Sequence, residues 1–571
     1  MSLNRVASIE GLERERSDDS TTTSYRRMSF NPVDHWAPDM SKKTSNVEPV
    51  RTFDEIPKGK RLLQCAIAVL YCLLSAGVVF GNCFLDLDVL IDEGVYSELC
   101  SKEEIEDGTS PCYGQEIRLN LMFTIAAVST NVCALPVGTI LDRYGPRACG
   151  IIGSILLAIG SALFAFGRDL PFDSHTSGYL FLALGGPFVF ISSFQLSNCF
   201  PAHSGLVLAL LTGAFDSSSA LFLIFRLIFE GTGGRVTTRE LFLIYLIVPI
   251  FIFVVQLTTM PSQSYKTVGE IVKLAEDEVN APTPDDSSVA NNAEVERRRS
   301  EHRMRRDSVI SEINSLLETS TNSKRAKRED KKNKRSGVWG ALHGYSAFEQ
   351  IKTPWFWLIT MFTVIQMTRI NYFVATVRPQ YRYLLHSDEE AKTVNQIFDV
   401  LLPVGGVLSI PFIGSILDKT STPFALASLV VTATLIGILG VIPKMWAAIA
   451  NICLFVIYRP FYYTAVSDYS AKVFGFQTFG KVYGLIICLA GLFNFIQSPL
   501  DALTHKAFHN NPLPVNLILM GVAIVVGGAL VIYVYSKSRN MQRQLLEVEA
   551  EGARESLMPD VTMNGERAYG T

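Results

Sequence analysis

One short phrase occurs twice in this chain, about 276 positions apart, and each copy stands where an apolar stretch runs into a charged turn. The copies cover residues 138–143 (GTILDR) and 414–419 (GSILDK). A repeat of this period in a hydrophobic chain of 571 residues indicates two similar halves, each several membrane helices long. The repeat therefore predicts a membrane protein built from two related units.

Twelve apolar stretches are long enough to cross a hydrocarbon layer about 30 Å thick, which needs roughly 20 residues of helix. Helices are the expected form because lipid offers backbone polar groups no hydrogen-bond partner. Six stretches lie before a long polar segment and six after it. The predicted spans are 62–84, 119–141, 148–167, 178–200, 205–229, 241–260, 355–377, 394–417, 423–442, 446–467, 479–499 and 515–535.

Charge divides the chain into five regions. We predict a disordered N-terminal region (1–60), a six-helix half (61–260), a basic, Ser-rich central loop (261–346), a second six-helix half (347–536) and a tail (537–571). Clustered Lys and Arg in the central loop favour the cytoplasmic side of the membrane. Because six spans flank the loop on each side, both termini are expected to be cytoplasmic as well.

The loops carry two further signals. Cys100 and Cys112 share the first loop facing away from the cytosol, where a disulfide is feasible. Basic residues precede Ser29 and Ser308, an arrangement that kinases acting on cytoplasmic segments could use.

Ionisable side chains inside predicted spans are functional candidates, because each costs at least a few kcal/mol unless it faces protein or water. Asp216, Arg369 and Arg459 lie near the middle of their spans, and Asp399 lies in the outer part of the eighth. Two interpretations remain open at this point. The charges line a polar cavity between the halves, or Asp216 with Arg459, and Asp399 with Arg369, form ion pairs that only fix helix packing.

The first repeat extends into a pattern of the form G-x-x-x-D-R-x-G-x-R, formed here by Gly138, Asp142, Arg143, Gly145 and Arg147. This pattern resembles the loop between the second and third helices of the major facilitator superfamily. The resemblance implies an all-α integral membrane protein of twelve transmembrane helices in two pseudo-symmetric six-helix halves. It also implies alternating access, in which the two halves rock around a central site.

The second copy keeps Gly414, Asp418 and Lys419, but Thr420 and Ser421 replace the aromatic residue and glycine. In both copies the carboxylate can cap the N-terminus of a facing helix of the other half, and the nearby arginines can pair with acidic groups across the cytoplasmic gap. The motif thus predicts a gate that closes the cytoplasmic side. The degraded second copy is expected to latch less tightly.

Further phrases resemble the facilitative large neutral amino acid transporters of this superfamily and their fungal relatives. These phrases cover residues 195–201, 206–218, 366–369 and 479–484. The resemblance implies a facilitator of neutral, bulky amino acids, with no cofactor, metal, nucleic-acid partner or enzymatic activity. It leaves the membrane open between the plasma membrane and vacuolar or other endomembranes.

A zwitterionic solute needs an acceptor for its ammonium group and donors for its carboxylate. We predict that Arg369, with Gln366 and Asn371, binds the carboxylate, because a guanidinium can bind it bidentately. Asp216, with Ser217 and Ser218, is the candidate for the ammonium group. Tyr462 or Phe461 would line the pocket for the apolar side chain.

Two alternatives compete with this hypothesis. One is a proton-coupled symporter of a nucleobase or small organic anion, in which Asp216 or Asp399 titrates, with Arg459 as a possible coupling residue. The other is a nutrient-sensing receptor or scaffold that moves little solute.

Overall fold

A computed structural model of the chain describes residues 57–75, 89–100, 112–167, 170–233, 235–265, 331–509 and 511–557. Ser29 and Ser308, named above as kinase targets, lie outside these ranges. Most of the predicted polar regions also lie outside them, so the description below concerns the helical body.

The described part of the first half contains eight helices, several of which are separated only by short breaks. They are α1 (Lys58–Ser75), α2 (Tyr113–Val132), α3 (Ala134–Ala165), α4 (Ser174–Ser193), α5 (Ser204–Ser217), α6 (Ala220–Gly231), α7 (Thr238–Tyr245) and α8 (Ile247–Thr258). Single 3₁₀ turns at Ser97–Leu99, Phe194–Cys199 and Pro201–His203 connect some of them.

The second half follows a short helical turn over residues 331–336. Its helices are α9 (Ala347–Ile351), α10 (Pro354–Leu385), α11 (Asp388–Leu408), α12 (Ile410–Lys419), α13 (Thr422–Leu439), α14 (Met445–Phe474), α15 (Phe479–Phe493), α16 (Gln497–Lys506) and α17 (Leu513–Leu557). A 3₁₀ turn at Asn494–Ile496 joins α15 to α16.

These helices correspond to the predicted spans, several of which are broken. The continuous stretch 117–165 is long enough for two crossings, and Gly145 turns the chain between them with a φ of 82°. The fifth, sixth and eighth spans are each two helices, with a bend of 42° between α11 and α12. The first span is described only as far as Ser75. The predicted fold class, an all-α membrane protein with two six-helix halves, is confirmed.

Helix starts follow the polar boundaries of the sequence. Ser346 and Glu349 form a reciprocal capping box at the start of α9, and the hydroxyl of Ser387 caps α11 by accepting from the amide of Glu390. Pro354 occupies the first turn of α10, where its missing N–H costs nothing. Local capping therefore sets where α9 begins, at the start of the second half, and where α11 begins, at the start of the eighth span of the chain.

Glycines allow the two halves to approach closely along two seams. In the first seam, α3 packs on α15, and a Cβ on Gly138 or Gly484 would overlap a backbone carbonyl of the facing helix. In the second, α5 packs on α11 and α12, where a Cβ on Gly213 would lie 2.6 Å from the carbonyl oxygen of Gly406. Small residues of this kind let membrane helices meet backbone to backbone. The two copies of the repeat thus lie on equivalent seams.

The loop with the paired cysteines lies away from the two copies of the repeat, near the start of α2 and α4. Cys100 and Cys112 are joined by a disulfide, with Cα atoms 5.6 Å apart. Nearby, Asp173 accepts hydrogen bonds from Tyr96 (2.6 Å) and Arg118 (2.7 Å) and caps α4. Burial raises the pKa of Asp173, but these hydrogen bonds outweigh it and lower the pKa to about 2. The carboxylate therefore stays charged and ties this loop to α2 and α4.

We expect Gly480→Ala to force the first seam apart. Its Cβ would lie 2.5 Å from Oδ1 of Asp142 and closer still to the carbonyl of Gly138. Overpacking of this kind lowers the free energy of unfolding by about 1–3 kcal/mol, which thermal unfolding in detergent will measure. Gly528→Ala is the matched control, because a Cβ there meets no atom within 4 Å. Equal losses in the two variants would contradict the seam.

Candidate functional site

Asp142, in the first repeat, caps a helix of the opposite half. Its two carboxylate oxygens accept hydrogen bonds from the backbone amides of Gly480 and Lys481, both at 2.9 Å, at the start of α15. A carboxylate at this position satisfies free amides and interacts favourably with the helix dipole. We call this contact the first latch, and the face of the bundle that carries it the latch face.

Asp418 makes the equivalent contact from the second half. Its oxygens accept hydrogen bonds from the amides of Gly205 (2.9 Å) and Leu206 (3.1 Å) in the first turn of α5. The sequence suggested that this second latch would be weaker because Thr420 and Ser421 replace motif residues. The cap itself forms in both copies, because it needs only the carboxylate and the facing helix start, and the weaker second latch stays a prediction.

Lys332 strengthens the second latch, and the sequence did not single it out. Its ammonium group donates to Oδ1 of Asp418 (2.7 Å), to the hydroxyl of Ser204 (2.8 Å) and to the carbonyl of Pro201 (2.9 Å). Burial lowers the pKa of Lys332, although Asp418 opposes that shift. Because Lys332 lies at the end of the central loop, this residue joins the loop to both halves at once.

The motif arginines contact groups of their own half. Arg147 donates to the carbonyl oxygen of Met260 through Nε (3.1 Å) and Nη2 (2.6 Å), and Arg143 lies over the ring of Tyr144. The prediction that they pair with acidic groups across the gap is therefore wrong for this conformation. Their contacts hold the turn at Gly145 against the end of α8.

Two buried charges meet between the halves, deeper in the bundle. Nε of Arg459, on α14, lies 3.7 Å from Oδ1 of Asp216, on α5. The two side chains are only 7% and 2% exposed. Both carboxylate oxygens of Asp216 and the Nε of Arg459 lack a hydrogen-bond partner within the described ranges. Tyr463 lies close enough to interact with both charges. The pair is thus a loose ion pair with unused hydrogen-bonding capacity.

The helix that carries Asp216 ends beside it. Ser218 and Ser219 separate α5 from α6, and their hydroxyls donate to the carbonyls of Phe215 and Asp216. Ser217 donates to the carbonyl of Pro403 on α11 at 2.8 Å. The hydroxyls of Ser217 and Ser218, predicted to join Asp216 as ligands, therefore satisfy backbone carbonyls at the break. A discontinuous helix beside a charged site is typical of membrane transporters.

Arg369 lies elsewhere, in a cavity of about 50 Å³ whose described lining residues all belong to the second half. It donates to Oε1 of Gln366 (3.4 Å) and to the carbonyl of Ala433 (3.0 Å). Asp399 instead accepts from Asn395 at 3.1 Å, and among the contacts of the described residues Arg369 binds Gln366 and Ala433, not Asp399. Of the two pairs considered from the sequence, only Asp216 with Arg459 is formed.

The remaining residues predicted from the sequence to bind substrate are Tyr462, Phe461 and Asn371. Tyr462 is fully buried and donates to the carbonyl of Thr363 at 2.9 Å, and Phe461 is also buried. Asn371 lies on α10 but is not among the residues that line the cavity of Arg369. Among the described residues, no cluster of His, Cys, Asp and Glu could hold a metal ion.

Comparison with known proteins shows the family. The sequence model of the Major Facilitator Superfamily matches residues 109–498. Protein FMP42 of Saccharomyces cerevisiae is 48% identical over 497 residues, covering 84% of this chain and 95% of that protein. Equilibrative nucleobase transporter 1 of Bos taurus is 25% identical over 488 residues, covering 81% and 93%. Large neutral amino acids transporter small subunit 3 of Homo sapiens is 32% identical over 184 residues, covering 30% and 32%.

We expect Asp142→Ala and Asp418→Ala to let the halves part at the latch face. Loss of a cap costs about 0.5–2 kcal/mol, so the open population should rise roughly 2- to 30-fold. Asp418→Ala should have the larger effect, because it also leaves the partly buried Lys332 without its carboxylate. Spin labels at Tyr144→Cys and Phe348→Cys, both exposed, measure the separation in a Cys453→Ser background.

Asp388→Ala is the control for these variants. It removes an exposed carboxylate that pairs with Arg382 on the surface and touches neither latch. Distance distributions that match those of the control would contradict the assignment of both latches.

Proposed function

Because the chain belongs to the major facilitator superfamily and is a multi-pass membrane transporter, we propose that its substrates are neutral amino acids with large side chains. The observation that carries this proposal is the ion pair of Asp216 and Arg459, buried between the halves. A zwitterionic amino acid carries one positive and one negative group, so each can pair with the residue of opposite charge.

Exchange of partners makes such a site selective. An amino acid that enters between the two residues offers its ammonium group to Asp216 and its carboxylate to Arg459. Each buried charge keeps a counter-charge throughout, so binding avoids the cost of an isolated ion in a low dielectric. A solute with a single charge leaves one of the two protein groups uncompensated, and the site rejects it by several kcal/mol.

The surroundings suit a bulky apolar side chain. Phe215, next to Asp216, stacks on Phe190 of α4 at a centroid distance of 4.3 Å. Tyr463, on α14, lies near both charges. We assign the side-chain pocket to these aromatic residues, with Phe461 and Tyr462 of the sequence hypothesis forming the wall behind them.

The same pair lets substrate binding bias the conformation. Asp216 belongs to the first half and Arg459 to the second, so a zwitterion bound between them bridges the halves directly. The latches close the face that we assign to the cytoplasm, together with both termini. Solute that binds from the other side then shifts the equilibrium towards latch opening only through its differential affinity for the two states.

Nucleobases are the second candidate substrate, since the bovine nucleobase transporter matches this chain over 93% of its length, whereas the human amino acid transporter matches over 32%. A neutral base would hydrogen-bond to Asp216 and Arg459 without separating their charges. The proton-coupled form of this alternative requires that Asp216 takes up a proton during the cycle.

Counterflow in liposomes that hold the purified protein tests the proposal. Vesicles loaded with unlabelled leucine should accumulate labelled leucine and phenylalanine, with saturation and without a pH gradient. Accumulation of labelled adenine by vesicles loaded with unlabelled adenine, with no counterflow of leucine, would support the second candidate, and dependence on a proton gradient would favour symport. Ligand binding with no counterflow of either solute would refute transport by this site.

We predict that Asp216→Asn and Arg459→Gln each abolish leucine counterflow and destabilise the protein. Removing one partner of a buried ion pair costs about 3–5 kcal/mol, because it leaves the other charge unpaired. The double variant removes both charges and should regain most of the thermal stability. Its leucine counterflow should stay at least about 30-fold below wild type, as expected for loss of a charged contact worth 2 kcal/mol or more.

This double variant separates a binding role from a packing role. If it regains both stability and counterflow, the pair serves only to hold the helices together. Arg378→Gln, an exposed change near the end of α10, controls for loss of a positive charge.

A further inference from the structure

The cavity around Arg369 contains more hydrogen-bond donors than acceptors. Its described lining residues lie mainly on α10, α13, α14 and α17. Arg369, Gln366 and Tyr458 are among them, and Nε2 of Gln366 and the hydroxyl of Tyr458 have no hydrogen-bond partner within the described ranges. Gln366 and Tyr458 are 1% and 2% exposed, so bulk water does not satisfy them. Three residues with hydrogen-bond donors therefore line one cavity.

Among the described residues, the charge in this cavity has no counter-charge. None of the described lining residues is acidic, and the hydrogen bonds of Arg369 go to two neutral acceptors, Gln366 and the carbonyl of Ala433. A guanidinium does not lose its proton in a protein, so it cannot escape the cost of burial by neutralisation. A buried cation of this kind needs an anion, since an isolated charge in a low dielectric costs many kcal/mol.

We propose that this cavity is a binding site for a small monovalent anion, held by Arg369, Gln366 and Tyr458. A volume of about 50 Å³ accommodates a monatomic ion with a water molecule. The water would donate to Oδ1 of Asn451, which also lines the cavity and lacks a donor. The site is separate from the pair of Asp216 and Arg459.

One helix connects the two sites. Tyr458 and Arg459 are neighbours on α14, and Tyr458 lines the anion cavity while Arg459 pairs with Asp216. An anion that fixes Tyr458 also fixes the backbone from which Arg459 extends. Occupancy of the cavity thus positions the proposed substrate residue.

Two sources can supply an anion of this chemistry. One is an inorganic ion such as chloride, and the other is the carboxylate of an amino acid, as predicted from the sequence for Arg369. The first requires no amino acid, and the second requires one. Titrations of each in the absence of the other distinguish them.

The test is thermal unfolding of the purified full-length protein in sodium gluconate, titrated separately with bromide and with leucine. The site predicts that bromide raises the unfolding temperature by several degrees, with saturation. Arg369→Gln should abolish this shift, and Arg378→Gln, on the same helix but exposed, should retain it. Tyr458→Phe removes one donor to the ion and should weaken the apparent bromide affinity by about tenfold.

Each outcome decides the proposal. A bromide shift that depends on Arg369 and is unaffected by leucine assigns the cavity to an inorganic anion. A leucine shift that depends on Arg369 and is abolished by saturating bromide assigns it to the carboxylate of the substrate. A bromide shift of equal size in the wild type, Arg369→Gln and Tyr458→Phe, or no shift with either ligand in the folded wild type, overturns the site.

Discussion

The ion pair of Asp216 and Arg459 is the interaction on which the proposed mechanism depends. Neither charge can lie within a membrane protein without a counter-charge, and each is supplied by the opposite half. The pair is loose, at 3.7 Å, and leaves carboxylate oxygens without donors. A tight, fully hydrogen-bonded pair would be a structural tie, whereas a loose one costs less to separate and can exchange its partners for a zwitterion.

The latches and the glycine seams complement this pair at a different depth. Asp142 and Asp418 each cap a helix of the opposite half, and the seams bring those helices close enough for the caps to form. Caps of this strength are worth only about 1 kcal/mol each, so they bias an equilibrium and do not lock it. Lys332 adds the end of the central loop to the second latch. Opening of the latch face therefore breaks the contacts that Lys332 makes with both halves.

Sequence reasoning predicted the features that follow from the free-energy cost of placing polar or charged groups in a membrane. A charge in a span is costly unless it faces protein or water, which marked Asp216 and Arg459 as candidates, and the repeat with its helix boundaries predicted the two halves. It could not predict contacts that depend on where the chain returns in space. Lys332 is one cation in a basic run, with no periodic signal to mark it. Arg369 has the same residue type and depth as Arg459, yet it faces the interior of one half. Only tertiary packing distinguishes them.

Competition against leucine counterflow by three matched analogues tests the central claim most directly. The analogues are isoleucine, the amide of leucine, which lacks the carboxylate, and 4-methylpentanoate, which lacks the ammonium group. Partner exchange at Asp216 and Arg459 predicts that isoleucine competes and that both singly charged analogues fail to compete at concentrations at least 30-fold higher. Competition by either singly charged analogue at the concentration of isoleucine would contradict recognition of a zwitterion by this pair.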